Sequence, residues 1–263
     1  MSTTELTADK SVDRDSLERQ VKDMYSRVAR DPDGEFHFEM GRALTERLGY
    51  PPEDLDRIPQ EAIASFAGVG YYFHLADLKP GETVVDLGSG SGTDTFVAAL
   101  KVGPQGSVVG IDMTEAQREK AETLRDTVGF GQATYHQGYI EDLPLADGSV
   151  DAVISNGVIN LSPDKAVVFA EVARVLKSGG RLAIADIVSE HQLPETISCN
   201  ADLWAACICG AMQVDNYRAQ IEAAGLEVTR VENNDAYAFV SDNALGATEK
   251  FGVKSISLLA VKP

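Results

Sequence analysis

Val84-Val-Asp-Leu-Gly-Ser-Gly-Ser-Gly-Thr-Asp94 is the stretch whose reading decides the fold. Val84, Val85 and Leu87 form a short apolar run bounded by turn formers, the pattern of a buried strand in a parallel sheet. Gly88, Gly90 and Gly92 follow at alternate positions, and Phe96, Val97 and Leu100 then fall at helical spacing. A strand, a glycine-rich turn and a helix in succession let backbone approach a bound nucleotide closely. Three glycines alone also suit a tight turn with no ligand, so the flanking sequence decides.

Downstream the same alternation repeats. Strands are expected at 84–87, 107–112, 133–136, 150–155 and 181–187, separated by helices at 93–101, from 114 to about 127, and after Ser162-Pro163-Asp164. Thr114-Glu115-Ala116-Gln117 reads as a capping box, Thr114 accepting from the amide three residues on and Gln117 reaching back. Ser162-Pro163-Asp164 reads as an N-cap with a proline at the first helical position. A helix near 214–224, a strand at 226–231, a further helical stretch and a last, antiparallel strand at 253–261 follow. The expected fold is α/β: a doubly wound, Rossmann-like sheet of seven mostly parallel strands, with ligand sites at the strands' carboxyl ends.

Upstream there is no strand signal. Leu17, Val21, Met24, Tyr25 and Val28 share one face of a helix expected over 15–28, ended by Asp31-Pro32-Asp33-Gly34. A second helix is expected around 38–48, stopped by Gly49, with a turn at 52–55 and a short helical piece at 63–66. Residues 1–12 are expected as a disordered tail, 13–75 as a helical cap, and 76–263 as the Rossmann-like core of the same domain.

Hydrophobic residues make up 44% and charged residues 24% of the 263, proportions that allow a full core. Acidic residues outnumber basic ones, 41 to 23, for a formal net charge of -18. Such a field repels phosphate backbones, which argues against nucleic acid as partner or substrate. No apolar run approaches the roughly 20 residues needed to span a bilayer, and the first ten residues do not read as a signal peptide. Cys199, Cys207 and Cys209 are an odd number of closely spaced thiols, which points to a reducing, cytoplasmic setting.

Asp112 ends the second expected strand roughly 20 residues beyond the glycines, where an acid accepts hydrogen bonds from ribose hydroxyls. A nicotinamide dinucleotide fold shares that opening. Here, however, an acid precedes the first glycine, in Asp86-x-Gly88-x-Gly90-x-Gly92. A pyrophosphate is a poor neighbour for Asp86, whereas a ligand carrying an amino group and a sulfonium is a good one.

Residues 80 to 262 resemble the class I S-adenosylmethionine-dependent methyltransferases. Gly110-Ile-Asp-Met-Thr114, Gly138-Tyr-Ile-Glu141, Ser155-Asn156-x-Val158-Ile159-Asn160-Leu161-Ser-Pro-Asp-Lys165, Leu193-Pro194-Glu195 and Trp204-x-x-Cys207-x-x-Gly210-Ala211 are similar to the arsenite methyltransferase family. So are Val21-Lys-Asp-Met-Tyr25 and Leu48-Gly-Tyr50 followed by Glu53-Asp54-Leu55. The resemblance implies S-adenosylmethionine as cofactor, held by Tyr25, Asp86, Gly88, Ser89, Gly90, Asp112, Met113, Gln117, Ile140, Glu141 and Asn156. Ile140 and Glu141 would lie at the adenine, and Asn156 near methyl transfer.

The family's arsenic-binding cysteines are mostly missing. The first position is Val69, the second is Gly157, and Cys207 remains, with Cys209 two residues on. Trivalent arsenic is thiophilic and needs sulfur ligands, so the acceptor is expected to be a small organic molecule. Gly68-Val69-Gly70-Tyr71-Tyr72-Phe73-His74 is expected to line its pocket, with Tyr72 or His74 able to take a proton. The same segment also reads as Tyr71 and Phe73 packed inside with Tyr72 and His74 facing water. Tyr72, His74, Asn156 and Cys207 are the candidate catalytic residues. Two alternatives stand beside this reading: methylation of a thiophilic substrate through Cys207 and Cys209, and a non-catalytic S-adenosylmethionine-binding module.

Overall fold

The structure is a computed structural model that describes residues 14–194 and 210–263. Cys199, Cys207, Cys209 and the residues expected as a disordered tail lie outside the described residues.

The strands expected in the core all form. They are β1 (Thr83–Leu87), β2 (Ser107–Asp112), β3 (Ala133–Gln137), β4 (Val150–Asn156), β5 (Leu176–Ser189), β6 (Met212–Gln213), β7 (Glu227–Asn233) and β8 (Lys254–Val261). They assemble in the order β3-β2-β1-β4-β5-β8-β7, with the two-residue β6 added beside the end of β5. β8 runs antiparallel to both of its neighbours. The other pairings are parallel. The sequence expectation of a mostly parallel seven-stranded sheet is met, and β6 is an addition too short to have a periodicity.

The order reverses between β1 and β4, and in open α/β sheets ligands sit outside the strand ends at such a switch point. Strand period two decides which side chains reach which face there. Val85 and Leu87 pack with Val153, Leu182 and Ile184 on one face. Val84 packs with Val108, Ala152, Ile154, Ala183 and Ala185 on the other. Asp86, Asp112 and Asn156 share parity with this second group, so all three project to the face that the N-terminal helices cover. Val84, Val85 and Leu87 are fully buried, each worth about 1.5–3 kcal/mol in removal from water.

Helices fill both faces. In the core they are α6 (Thr93–Val102), α7 (Glu115–Val128), α8 (Lys165–Val175), α9 (Val214–Ala223) and α10 (Asp242–Phe251); in the cap, α1 (Arg14–Arg30), α2 (Arg42–Leu48), α3 (Pro52–Leu55), α4 (Gln60–Ala64) and α5 (Phe73–Ala76). Two local expectations are corrected. The second helix starts at Arg42 rather than near Phe38, because Gly41 adopts φ 83, outside helical space, and its amide donates to the Phe66 carbonyl. In α8 the N-cap is Asp164, whose carboxylate accepts from the Val167 amide, and Pro163 lies before the helix rather than at its first position.

Candidate active site and cofactor cavity

At the switch point β1 delivers the chain into residues 88–92. The Gly88 and Ser89 amides both donate to the Ile111 carbonyl, at 2.7 and 3.0 Å, which folds the loop over the end of β2. Gly88 has φ 68, and a Cβ there would sit inside the methyls of Val158, so only glycine fits. Gly90 has φ 54, and a Cβ there would meet nothing closer than Gln117 at 3.9 Å, because it faces open space.

That space is a cavity of about 640 Å³, within the size range of small-molecule sites. All eleven residues expected to hold the cofactor line it: Tyr25, Asp86, Gly88, Ser89, Gly90, Asp112, Met113, Gln117, Ile140, Glu141 and Asn156. Sequence reasoning missed others on its wall, among them Glu18, Ser65, Phe66, Asp94, Leu161 and Asp164. Asp94 lies within the opening motif and was legible only as a first-turn acid.

Asp112 is the organiser of the loop. Its Oδ2 accepts from the Gly90 amide at 2.9 Å and its Oδ1 from the Thr114 amide at 2.8 Å. The expected capping box is therefore replaced: Thr114 makes no side-chain cap bond, and Asp112 satisfies the amide at the helix entrance instead. The Gln117 side chain turns into the site, accepting from Ser91 Oγ and donating to the Tyr25 carbonyl. It thereby ties the cap to the glycine loop.

Beside Asp112 lies a second carboxylate centre. Asp94 accepts from Tyr50 Oη at 2.6 Å, Tyr72 Oη at 2.8 Å and Asn156 Nδ2 at 3.1 Å. Asn156 Oδ1 takes the Val69 amide at 2.7 Å, and its Nδ2 also donates to the Gly70 carbonyl and Tyr50 Oη, both at 3.0 Å. Asn156 is thus a clip between the end of β4 and the loop at 68–70 as well as part of the wall. Asp86, which accepts from Thr95 Oγ1 at 2.6 Å, is pushed well above the usual carboxylate range by burial and by the nearby Asp94. Burial also raises Asp94, against the stabilisation of its anion by Tyr50, Asn156 and Tyr72.

The aromatic segment is placed differently from expectation. None of Tyr71, Tyr72, Phe73 and His74 lines the cavity. Phe73–Ala76 is a short helix, so the strand-like alternation assumed for the segment does not apply. Tyr72 is fully buried beneath the wall against Asp94. His74 is exposed, with Nε2 2.7 Å from Glu232 Oε2. The aromatic residues in the wall are instead Tyr25, Phe66 and Tyr139, and Phe66 packs edge-on against Tyr50 at 5.3 Å.

The site suits the implied cofactor. Two neighbouring buried carboxylates, Asp86 and Asp94, have no lysine, arginine or histidine among the lining residues to neutralise them, a costly arrangement that a cationic ligand offsets. The family model described as a methyltransferase domain matches residues 78–225.

The chain belongs to the class I S-adenosylmethionine-dependent methyltransferases. Its cofactor is S-adenosylmethionine. An arsenite methyltransferase of Halobacterium salinarum is 41% identical over 202 residues, covering 75% of this chain and 51% of that protein. The crystal structure of an arsenic(III) S-adenosylmethionine methyltransferase from Chlamydomonas reinhardtii matches with a TM-score of 0.64 at 31% identity, covering 86% of this chain and 75% of that one. Methyltransferase GfsG of Streptomyces halstedii is 31% identical over 223 residues, 81% of this chain and 75% of that protein. This methyltransferase spans about half the length of the Halobacterium relative. No helix among its described residues is long and apolar enough to cross a membrane.

Proposed function

We propose that this methyltransferase transfers a methyl group from S-adenosylmethionine to a small organic acceptor bound beside Asp94, Asn156 and Phe66. One observation carries the choice of acceptor: the two positions that the arsenite enzymes' pattern fills with cysteine hold Val69 and Gly157, which face each other and carry no sulfur. A soft arsenic centre needs several thiolates, and the chain's cysteines all lie in one segment, at Cys199, Cys207 and Cys209.

When bound, S-adenosylmethionine supplies a methyl group activated by the sulfonium. Asp86 is suited to an ammonium, Asp112 to ribose hydroxyls, and Ile140 with Met113 to the flat apolar face of a purine. Glu141 accepts from Ser162 Oγ, which orients its carboxylate at the same end. The chain's own contribution to rate is alignment and the exclusion of water. Asn156, fixed by Val69, Gly70, Tyr50 and Asp94, is a positioning residue for the acceptor wall. Helix α1 brings Glu18, Val21 and Tyr25 over the site and shields it. The excess of acid argues against nucleic acid as the acceptor.

Incubation with methyl-labelled S-adenosylmethionine and a metabolite extract tests the reading. The expected result is label in a small organic compound. Label in methylated arsenicals when arsenite is added, with none in organic products, would transfer the assignment to a thiophilic substrate. Tight cofactor binding with no labelled product at all would favour a binding module.

A further inference from the structure

The charge of the cavity defines the acceptor more narrowly than "small and organic", an inference that rests on the methyltransferase reading above. Asp86, Asp112 and Glu141 belong to the cofactor's part of the site. Four further carboxylates, Glu18, Asp94, Asp142 and Asp164, line the same cavity, and no lysine, arginine or histidine does among the described residues.

Among the described residues, three lysines that bond lining residues are already committed. Lys22 Nζ lies 2.6 Å from Glu18 Oε1 and 2.8 Å from Tyr139 Oη. Lys120 Nζ donates to the Ala29 carbonyl and to Ser65 Oγ at 3.0 and 2.8 Å. Lys165 is buried and donates to the Asn160 and Ser162 carbonyls at 3.0 and 2.9 Å. Residues 195–209 contain no lysine, arginine or histidine in their sequence, so they bring no compensating cation either. A formal net charge of -18 over the whole chain gives the approach to the site the same sign.

An anionic acceptor, such as a carboxylate, phosphate, phenolate or thiolate, would find no lysine, arginine or histidine among the described lining residues to pair with. An ammonium or a neutral N–H donor would find carboxylate acceptors at the wall and an apolar surface in Phe66, Val158 and Leu161 for its body. We propose that the acceptor is an amine, recognised by its positive charge and methylated on nitrogen. The ammonium first loses one proton, and the freed lone pair forms the N–C bond as the S–C bond to the methyl group breaks, with S-adenosylhomocysteine as the leaving group. The proton passes to a lining carboxylate and then to water, so the product keeps the charge of the substrate.

Two measurements on the full chain test this. The first is calorimetric titration, in the presence of S-adenosylhomocysteine, with phenethylammonium and 3-phenylpropionate, which share an apolar body and differ in charge. The ammonium should bind at least about tenfold more tightly, and the preference should shrink as salt is raised. Equal affinity, a preference for the carboxylate, or no binding of the ammonium overturns the proposal. The second is identification of the atom that gains the label in the extract experiment. A methylated nitrogen in a cationic product supports the proposal; a methylated oxygen, sulfur or arsenic overturns it and leaves the methyltransferase reading standing. A bound cofactor with no labelled product removes that reading itself, and the amine with it.

Discussion

A Cβ placed on Gly157 would lie 3.2 Å from Cγ1 of Val69, so these two positions face each other where β4 ends. Gly157 has φ 72, a conformation that costs an L-residue about 1–2 kcal/mol. Gly157→Ala should therefore lower stability by roughly that amount plus the cost of displacing the valine. In a Val69→Ala background the backbone part should persist and the steric part vanish, so the two changes should combine less than additively. Urea unfolding of the four proteins measures this; strict additivity would mean the positions do not touch.

Asp112 holds two amides, one on each oxygen. An asparagine has one acceptor oxygen, and its amide group would confront either the Gly90 or the Thr114 N–H. Asp112→Asn should weaken S-adenosylmethionine binding about tenfold or more, by the 1.5–3 kcal/mol that hydrogen bonds to charged groups contribute. Calorimetry reads the change directly, and an unaltered Kd would remove Asp112 from the cofactor site.

Tyr72 touches the site only through Asp94. Tyr72→Phe should cost about 1–2 kcal/mol by leaving a buried carboxylate short of a donor. It should also raise the Asp94 carboxyl further, because Tyr72 is one of the three groups that favour its anion. The acid limb of the activity profile should move to higher pH. A stability loss with an unmoved pH profile would make Tyr72 a packing residue and nothing more.

Helix α1 is held at both ends. Near its C-terminus, Ser65 Oγ donates to the Val28 carbonyl and Lys120 to the Ala29 carbonyl. Toward its N-terminus, Tyr139 Oη donates to Glu18 at 2.6 Å and accepts from Lys22 at 2.8 Å. Tyr139 is 45% exposed, so the second tie is the weaker one. Tyr139→Phe should speed cofactor dissociation a few-fold with little effect on unfolding. Stopped-flow displacement by S-adenosylhomocysteine checks it, and an unchanged off-rate would mean α1 does not gate release.

The Asp186 carboxyl is raised from 3.8 to about 6 by burial, even though Tyr217 Oη, the Ile187 amide and the Lys165 ammonium favour its anion. The folded chain thus keeps a proton that the unfolded chain has released. Its contribution is largest below about pH 4 and is lost as pH rises to about 6, by about 3 kcal/mol on linkage. Asp86, Asp94 and Asp112 are raised too and slope the same way. Asp186→Asn should flatten the part of the stability curve between about pH 4 and 6. Denaturation midpoints across that range measure it, and an identical slope in the variant would assign the dependence to the other carboxyls.

By itself the sequence determined the sheet, the glycine loop and the placement of Asp86 and Asp112 at the strand ends. These follow from strand period two, helical period and the conformational freedom of glycine, all of which act over a few neighbouring residues. The eleven residues expected at the cofactor from the motifs it shares with arsenite methyltransferases also line one cavity. Only the tertiary structure decided that Tyr50 and Asp94, 44 residues apart, share a hydrogen bond, and that Asn156 reaches Tyr50 across 106 residues. It also moved Tyr72 and His74 off the wall, gave the cap of α7 to Asp112, and set Val69 against Gly157. Such contacts are fixed by which buried polar groups find partners once the helices close on the sheet, and no local periodicity encodes that choice.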